Sequence, residues 1–160
     1  MTKSGILKNH PPRMENVLLI LHDLQNHSPR NYLSHNDLAL VAAYLNTTLG
    51  VIYGIASYYT MFSLRPRGRH IIRICRSLVC RLVGVTDVLA ELNRLLAVDI
   101  GETTPDQRFT LETTECLGQC DQAPAMMIDD VIHGNLTREK IRGIIRRYAD
   151  ARHAALKRNK

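Results

Sequence analysis

The sequence predicts an α/β domain that follows a small helical bundle. Apolar residues recur at helical spacing over residues 14–62, whereas short β-branched or alternating segments separate helical ones beyond a Pro-Arg-Gly break at residues 66–68. With 160 residues, 45% hydrophobic and 22% charged, the chain can bury a sizeable core, and collagen-like, low-complexity and wholly disordered classes are excluded. We predict a helical unit over residues 1–66, an α/β domain over 67–150 and a basic tail over 151–160.

Three helices are predicted over residues 14–62. In the first, apolar residues at i, i+3, i+4 and i+7 form one face, and the pattern stops before Pro29. Ser34 is the expected N-cap of the second helix, and the third is expected to begin near Thr47 or Thr48. The apolar residues that define the first two helices are Val17, Ile20, Leu21, Leu24, Leu38, Val41, Ala42 and Leu45.

Beyond residue 66 the predicted order of elements is β-α-β-β-β-α, which indicates one α/β layer rather than separate domains. The first strand is short and β-branched, the second alternates apolar and polar residues, and the last two form a hairpin around Asp129 and Asp130. Thr86 or Asp87 is expected to cap the first helix and Thr137 the second. The strands are predicted at residues 70–74, 108–114, 125–128 and 131–133.

The net charge of +6 lies mostly at the C-terminus. Residues 138–160 hold nine Lys or Arg against Glu139 and Asp150, a local balance of +7, so the rest of the chain sums to −1. A basic chain can indicate nucleic-acid binding, but this distribution argues against it for the body of the chain. We interpret the basic tail as a solvated helix end or as a segment that docks onto an acidic partner surface.

No segment predicts membrane insertion or export. The longest aliphatic run spans residues 17–21, far short of the roughly 20 apolar residues that a transmembrane helix needs. Residues 1–13 carry Lys3, Lys8 and Arg13 but no apolar core long enough for a secretory signal. We therefore expect a cytoplasmic protein without direct membrane insertion.

The four cysteines form two pairs, and each pair follows a predicted strand. Four residues separate Cys75 from Cys80, and three separate Cys116 from Cys120. Paired cysteines in a cytosolic chain are more often metal ligands or redox centres than disulfides. Zinc sites favour C-x2-C turns, whereas each iron of a [2Fe–2S] cluster takes two thiolates and longer loops suit it. The spacing favours a [2Fe–2S] cluster and leaves a structural zinc site open.

Neighbouring residues could balance the negative charge of such a cluster. Arg73, Arg76 and Arg81 surround the first pair in sequence, and Gly118 would let backbone N–H groups approach the sulfurs of the second pair. The chain has no C-x-x-C, H-E-x-x-H, Walker A or G-x-G-x-x-G motif, so thioredoxin-type redox, metalloprotease, nucleotide and flavin sites are not predicted. We expect no substrate site in this chain.

Five groups of residues occur in an order that matches a known family. They are VIYGIASYYTMF at 51–62, GRHIIRIC at 68–75, GETTPD at 101–106 with FTLE at 109–112, ECLGQC at 115–120 with Ala-Pro at 123–124, and GNLT at 134–137. In these motifs the chain resembles the thioredoxin-like [2Fe–2S] ferredoxin family, the E-type subunit of the NADH-oxidising module of respiratory complex I. Members of that family also occur in NAD-linked hydrogenases, electron-bifurcating oxidoreductases and formate dehydrogenases. The resemblance runs from about Val17 to Tyr148.

This resemblance implies a helical bundle followed by a thioredoxin-like domain, with Cys75, Cys80, Cys116 and Cys120 as the ligands of one [2Fe–2S] cluster. It implies docking beside a larger flavoprotein that holds FMN, an NAD(P)H site and a [4Fe–4S] cluster. In some complexes further iron–sulfur, hydrogenase or formate dehydrogenase subunits would be present. The chain would then be an electron-transfer subunit of an NAD(P)H-dependent oxidoreductase, and no nucleic acid would be bound.

Two other hypotheses remain open at the level of sequence. The chain could be a zinc-stabilised interaction module with a basic, nucleic-acid-binding tail, or a structural subunit whose cluster is vestigial. The sequence also departs from the family in its first ligand loop, where Arg76, Leu78 and Val79 stand at positions that are small in many members, and at Gln107, where glycine is common.

Overall fold

Two structural units, one ending at Arg67 and the other beginning at Gly68, make up the chain in this computed structural model. The structure describes residues 2–150, so the basic tail predicted over residues 151–160 lies outside the described residues. The boundary between the units coincides with the Pro-Arg-Gly break, where the sequence pattern changes from helical to β-branched.

The first unit contains four α-helices within residues 2–67. They are α1 (Lys3–Lys8), α2 (Val17–His27), α3 (His35–Tyr44) and α4 (Leu49–Tyr58), with a 3-10 turn at Met14–Asn16 before α2. The last three are the predicted helices, and every apolar residue that defined the first two of them is buried. The predicted helical bundle is therefore confirmed.

Side chains at the N-termini fix where these helices begin. Ser34 Oγ accepts a hydrogen bond from the Asp37 N–H at 3.2 Å, and the Asp37 carboxylate accepts one from the Ser34 N–H at 2.9 Å, which is a capping box. Thr48 Oγ1 caps α4 by accepting a hydrogen bond from the Val51 N–H at 3.4 Å. The sequence did not predict α1, because its six residues bury only Ile6 and Leu7, too few to define a helical period.

The second unit holds a four-stranded mixed sheet in the order β2-β1-β3-β4. The strands are β1 (His70–Cys75), β2 (Phe109–Thr114), β3 (Met126–Ile128) and β4 (Val131–His133). β1 and β2 run parallel, with Cys75 opposite Thr114 at their C-terminal ends, whereas β1, β3 and β4 are antiparallel neighbours. Because parallel strands need a crossover, the chain between β1 and β2 is helical.

Three helices complete the second unit within the described residues: α5 (Leu78–Leu82), α6 (Val85–Leu96) and α7 (Arg138–Ala149). The predicted α/β order is confirmed, with two differences. α5 was predicted as loop, since a helix of five residues is too short to show a period, and Cys80 consequently lies on a helix. α6 begins at Val85 with Gly84 as its N-cap, ahead of the expected caps Thr86 and Asp87. Thr137 caps α7 as predicted.

The core of the second unit is built from the sheet together with α6 and α7, which pack against each other. Fully buried side chains from the strands meet the apolar faces of both helices, so one hydrophobic cluster supports the C-terminal ends of β1 and β2. The most deeply buried members of this cluster are Ile72, Leu92, Leu111, Met126, Ile128, Ile141 and Ile144.

Within residues 2–150, no single helix is both long and apolar enough to cross a membrane. The pair α3 and α4 satisfies the length and composition criteria only when taken together, with a bend of 120° between the two helices.

Candidate metal centre

The ends of the two parallel strands bring the two cysteine pairs to one edge of the sheet. Cys75 is the last residue of β1 and lies opposite Thr114, the last residue of β2, so Cys116 follows two residues beyond that point. Loops at the carboxyl ends of parallel strands are where α/β sheets usually place functional groups. The adjacency inferred from equivalent strand ends is therefore present in the structure.

The first pair is buried. Cys75 and Cys80 are each 2% exposed. The Cys75 N–H donates to the Ala125 carbonyl at 3.2 Å, and Cys80 is the buried residue of α5. Cys75 is therefore held by the end of β1 and by the residue before β3, and Cys80 by α5.

The second pair is exposed, and its two sulfur atoms lie close together. Cys116 Sγ and Cys120 Sγ are 3.6 Å apart. Two thiolates bound to one tetrahedral metal at about 2.3 Å would lie about 3.8 Å apart, so little movement is needed for both to bind one iron. Cys120 opens a 3-10 turn, Cys120–Gln122, which holds the end of this loop.

Backbone N–H groups point at the sulfurs from several positions. Gly118 has a φ of +76°, a left-handed conformation that favours glycine, and its N–H donates to Cys116 Sγ at 3.4 Å. Backbone hydrogen bonding from Ser77 and Leu117 acts to lower the pKa of Cys75, and backbone hydrogen bonding from Ala125 acts in the same direction on the pKa of Cys80. Such donors stabilise negative charge on sulfur, which a thiolate-bound cluster carries.

The thiol pKa values reflect these contacts. Burial alone would raise the pKa of Cys75, but hydrogen bonds from Ser77, Cys80 and Leu117 lower it overall. Burial raises the pKa of Cys80, and the neighbouring Cys75 raises it further. The pKa of Cys120 is raised mainly by its contact with Cys116 and, to a smaller degree, by the charge of Cys75. The charge of one pair thus acts on the pKa of the other, and the assignment of all four cysteines to one site stays a prediction.

The donor set fits a cluster of two irons. The four thiols belong to two pairs in the sequence. Within residues 2–150, no three His, Cys, Asp or Glu side chains lie close enough together to hold a metal ion. Each pair can supply two thiolates to one iron, which is the ligand requirement of a [2Fe–2S] cluster.

Of the arginines predicted to balance cluster charge, two have carboxylate partners. Arg73 Nε lies 3.3 Å from Glu112 across the parallel strands, and Arg76 Nε donates to Glu115 at 2.9 Å. Arg81 is exposed on α5. A paired guanidinium has part of its charge neutralised, so Glu112 and Glu115 reduce the charge that Arg73 and Arg76 could offer to a cluster. The balancing role of the three arginines stays a prediction.

A turn after β4 supports the second ligand loop, which carries Cys116 and Cys120. The sequence alone indicated this turn only as a break in the chain. A Cβ on Gly134 would lie 2.5 Å from Gln122 Cβ and 2.8 Å from the Gln122 carbonyl oxygen, so only glycine fits. The Asn135 N–H donates to that carbonyl at 2.5 Å, and the Leu136 N–H donates to the Pro124 carbonyl at 3.1 Å. The GNLT motif was visible in the sequence, but its contact with residues 122–124 was not.

Apolar side chains lie exposed on α5 and the residue after it. The exposed fractions are 70% for Leu78 and 76% for Leu82, and Val79 and Val83 are exposed beside them. The bulky residues noted in the first ligand loop thus point outward, while Cys80 on the same helix points into the core.

A comparison with protein-family models matches residues 4–149 to the thioredoxin-like [2Fe-2S] ferredoxin model. Among curated proteins, the chain is 31% identical to the NADP-reducing hydrogenase subunit HndA of Solidesulfovibrio fructosivorans, over 89% of this chain and 82% of that protein. It is 36% identical to the E-type subunit of the NADH-quinone oxidoreductase of Pseudomonas aeruginosa, over 74% of this chain and 72% of that protein.

Two solved structures are also similar to this chain. An NAD+-reducing [NiFe]-hydrogenase in its H2-reduced state matches with a TM-score of 0.75 and 27% identity, over 84% of this chain. The air-oxidised state of an NAD+-reducing [NiFe]-hydrogenase matches with a TM-score of 0.76 and 25% identity, over 91% of this chain. This chain spans 22% and 24% of those two solved chains, respectively.

Proposed function

The chain belongs to the thioredoxin-like [2Fe-2S] ferredoxin family, and we propose that it binds one cluster through Cys75, Cys80, Cys116 and Cys120 and transfers electrons within an NAD(P)H-dependent oxidoreductase. The observation that carries the ligand assignment is that each cysteine pair begins at or just beyond the C-terminal end of one of two neighbouring parallel strands, β1 and β2. The names of the relatives describe oxidoreductase subunits and give no support to a zinc-stabilised, nucleic-acid-binding module.

Each cysteine pair would hold one iron. The buried pair, Cys75 and Cys80, would hold the inner iron, and the exposed pair, Cys116 and Cys120, the outer one. When bound, the cluster accepts or gives up one electron at a time. The chain holds the thiolates in place and offers N–H donors from residues such as Gly118 to their negative charge.

The partner we propose is a flavoprotein that holds FMN, an NAD(P)H site and a [4Fe–4S] cluster, joined in some complexes by hydrogenase or formate dehydrogenase subunits. Two points support it. The relatives' names refer to NADP-reducing, NADH-quinone and NAD+-reducing enzymes, and this chain has no nucleotide-binding motif of its own. The helical residues 1–66 would serve as a docking extension to the cluster domain at 67–150, in a cytoplasmic complex.

Metal analysis tests the cluster assignment. Purified without oxygen, the full chain should contain about two irons and two sulfides per molecule and show a [2Fe–2S] EPR signal on reduction with dithionite. Replacing Cys80 or Cys120 with Ala should lower iron content, whereas a colourless protein with one zinc per chain would contradict the assignment.

NADH reduction tests the electron-transfer role. In the complex purified from native cells, NADH should reduce the cluster of this chain, because the flavoprotein would supply electrons to it. Cys116→Ala should lower turnover of the complex if the cluster is on the electron path. Unchanged turnover with intact assembly would instead support a structural subunit with a vestigial cluster.

A further inference from the structure

The exposed thiols of Cys116 and Cys120 lie close enough together for an oxidant to join them. We propose that, in a chain that has not yet received its cluster, a small disulfide such as oxidised glutathione converts this pair into a reversible disulfide, which blocks loading of the outer iron. The inference rests on the proposed function, because the block has an effect only where these two thiols are cluster ligands.

The distance between the two sulfur atoms favours this reaction. Cys116 Sγ and Cys120 Sγ lie 3.6 Å apart and a disulfide bond is about 2 Å long, so the sulfurs must approach by about 1.6 Å. A Cβ placed on Gly118, midway between the two cysteines, would meet no atom within 4 Å, and Gly118 is exposed as they are. The middle of this loop therefore has room to move as the sulfurs approach.

Hydrogen bonds of the main chain hold both ends of the same loop. Two residues before Cys116, the Thr114 carbonyl accepts the Arg76 N–H at 2.9 Å. At the other end, the Cys120 carbonyl accepts the Ala123 N–H at 3.4 Å. These bonds use no cysteine sulfur, so they keep the two thiols near each other in a chain without iron.

The other cysteine pair is protected from this reaction by burial. Cys75 and Cys80 are each 2% exposed, whereas Cys116 and Cys120 are both exposed. Thiol–disulfide exchange needs direct contact between the attacking sulfur and the disulfide, so its rate depends on access. A tripeptide disulfide therefore reaches the second pair and not the first, and oxidation should stop at one disulfide per chain.

Two exchange steps complete the reaction. The thiolate of one exposed cysteine attacks a sulfur of oxidised glutathione, breaks its S–S bond and releases one glutathione. The second cysteine, as thiolate, attacks the protein sulfur of this mixed disulfide, which forms the bond between Cys116 Sγ and Cys120 Sγ and releases the second glutathione. Two electrons pass from the cysteine sulfurs to glutathione, and the two thiol protons end on the two glutathione thiols. A dithiol such as dithiothreitol reverses both steps.

The disulfide would both prevent metal binding and preserve the ligands. Only a thiolate is a metal ligand, so the outer iron has no protein sulfurs to bind until the disulfide is reduced. A disulfide also keeps exposed thiols from oxidation to sulfinic and sulfonic acids, which is irreversible for most proteins. Disulfides in cytosolic proteins are usually transient and redox-sensing, which is the behaviour proposed for this pair.

Peptide mapping of the full chain tests the proposal. Iron is removed with a chelator in dithiothreitol, the reductant is removed without oxygen, oxidised glutathione is added, and the remaining thiols are alkylated before digestion with trypsin. Cys116 and Cys120 lie on one tryptic peptide, residues 109–138, whereas Cys75 and Cys80 lie on two, residues 74–76 and 77–81. We expect the first peptide to be two hydrogen atoms lighter and free of alkyl groups, and the other two to be alkylated.

Two controls check that proximity and burial cause this pattern. Cys120→Ser should carry one glutathione on Cys116 and form no internal disulfide, because the second exchange step has no attacking thiol. In guanidinium chloride the natural chain should lose its selectivity, so that Cys75 and Cys80 also react. A native chain in which residues 109–138 remain alkylated at both cysteines, or in which all four cysteines react equally, overturns the proposal.

Cluster transfer measures the block itself. A scaffold protein that carries a [2Fe–2S] cluster, used without added thiol or sulfide, should transfer the cluster to the reduced chain but not to the disulfide form, and dithiothreitol should restore transfer. Equal transfer to both forms overturns the block. A reduced chain that accepts no cluster, and that holds none when purified without oxygen, would contradict the proposed function instead, whereas the peptide map reports on the disulfide alone.

Discussion

Glu91 of α6 and Arg142 of α7 form an ion pair that joins these two helices, with Arg142 Nε donating to Glu91 Oε1 at 2.7 Å. Arg94 also donates to the same carboxylate, at 2.8 Å through its Nη2. The Glu91 side chain is only 6% exposed, so two guanidinium groups satisfy a carboxylate at the edge of the core. This contact lies on the helices that pack beneath the sheet.

The contact predicts a specific dependence of stability on pH. The hydrogen bonds from Arg94 and then Arg142 lower the pKa of Glu91 from 4.5 to about 2. Because the folded pKa lies below the unfolded one, the stabilisation is present above pH 4.5 and is lost as pH falls towards 2. Glu91→Gln should therefore be less stable than the natural chain at neutral pH, with a difference that narrows in acid.

Urea unfolding at several pH values measures that difference. Glu15→Gln is the control, because Glu15 and Arg13 are both well exposed and 3.4 Å apart, and a surface pair of this kind contributes little. A Glu91→Gln effect that stayed constant from neutral to acid pH would show that the ion pair is not its cause.

Gly134→Ala should reduce cluster content. The new Cβ would overlap Gln122 and its carbonyl, so the turn and the loop that ends at Cys120 could not keep their present positions. We expect less iron per chain and a more labile cluster, measured by iron content and by the rate of bleaching in air.

The helix α7 offers a matched glycine for this experiment. A Cβ on Gly143 would meet no atom within 4 Å, so Gly143→Ala should leave iron content unchanged and should raise stability slightly, since Ala favours helix by about 1 kcal/mol over Gly. Equal iron contents in Gly134→Ala and Gly143→Ala would refute the proposed support of the ligand loop.

We predict that Asp129 stabilises the N-terminal end of β1, which is the end away from Cys75. Its carboxylate contacts His70 Nδ1 at 2.8 Å and accepts the Ile71 N–H at 3.0 Å, all in a buried setting. Asp129→Ala leaves both groups without this acceptor. The free energy of unfolding should fall by about 1–3 kcal/mol for each group. Chemical unfolding should show the loss, while Asp130→Ala, at the exposed neighbouring position, should change stability by less than about 0.5 kcal/mol.

Leu92→Ala tests the core beneath the sheet. Leu92 is fully buried on α6, and its truncation should lower the free energy of unfolding by about 2–5 kcal/mol through lost burial and the cavity left behind. Leu82→Ala on the exposed face of α5 should change it by less than about 0.5 kcal/mol. Similar losses in both variants would contradict the packing described for α6.

Much of this architecture follows from local patterns in the sequence. The faces of α2 and α3, the strands β1 and β2, and the Thr137 cap of α7 all depend on residues within a few positions of one another, which periodicity and capping rules can detect. The sequence also shows that each cysteine pair follows a predicted strand. The parallel pairing of β1 and β2 then places the ends of those two strands side by side.

The remaining features depend on contacts between distant residues or on side-chain direction. Nothing near Gly134 in the sequence indicates that Gln122 lies against it. The carboxylate partners of Arg73 and Arg76 are a further example, since Glu112 and Glu115 lie 39 residues away and come beside them only once β1 and β2 are paired.

The way the second ligand loop is held has a consequence for how this chain can change over evolutionary time. Its fixed points are main-chain atoms, namely the N–H groups of Gly118, Asn135 and Leu136 and the carbonyls of Gln122 and Pro124. Main-chain groups are shared by nearly all residue types, so side chains between the cysteines, such as Leu117 and Gln119, can be exchanged without removing those bonds. The surface presented around the outer thiols can therefore diversify to suit different partners while the spacing of the sulfurs is inherited unchanged.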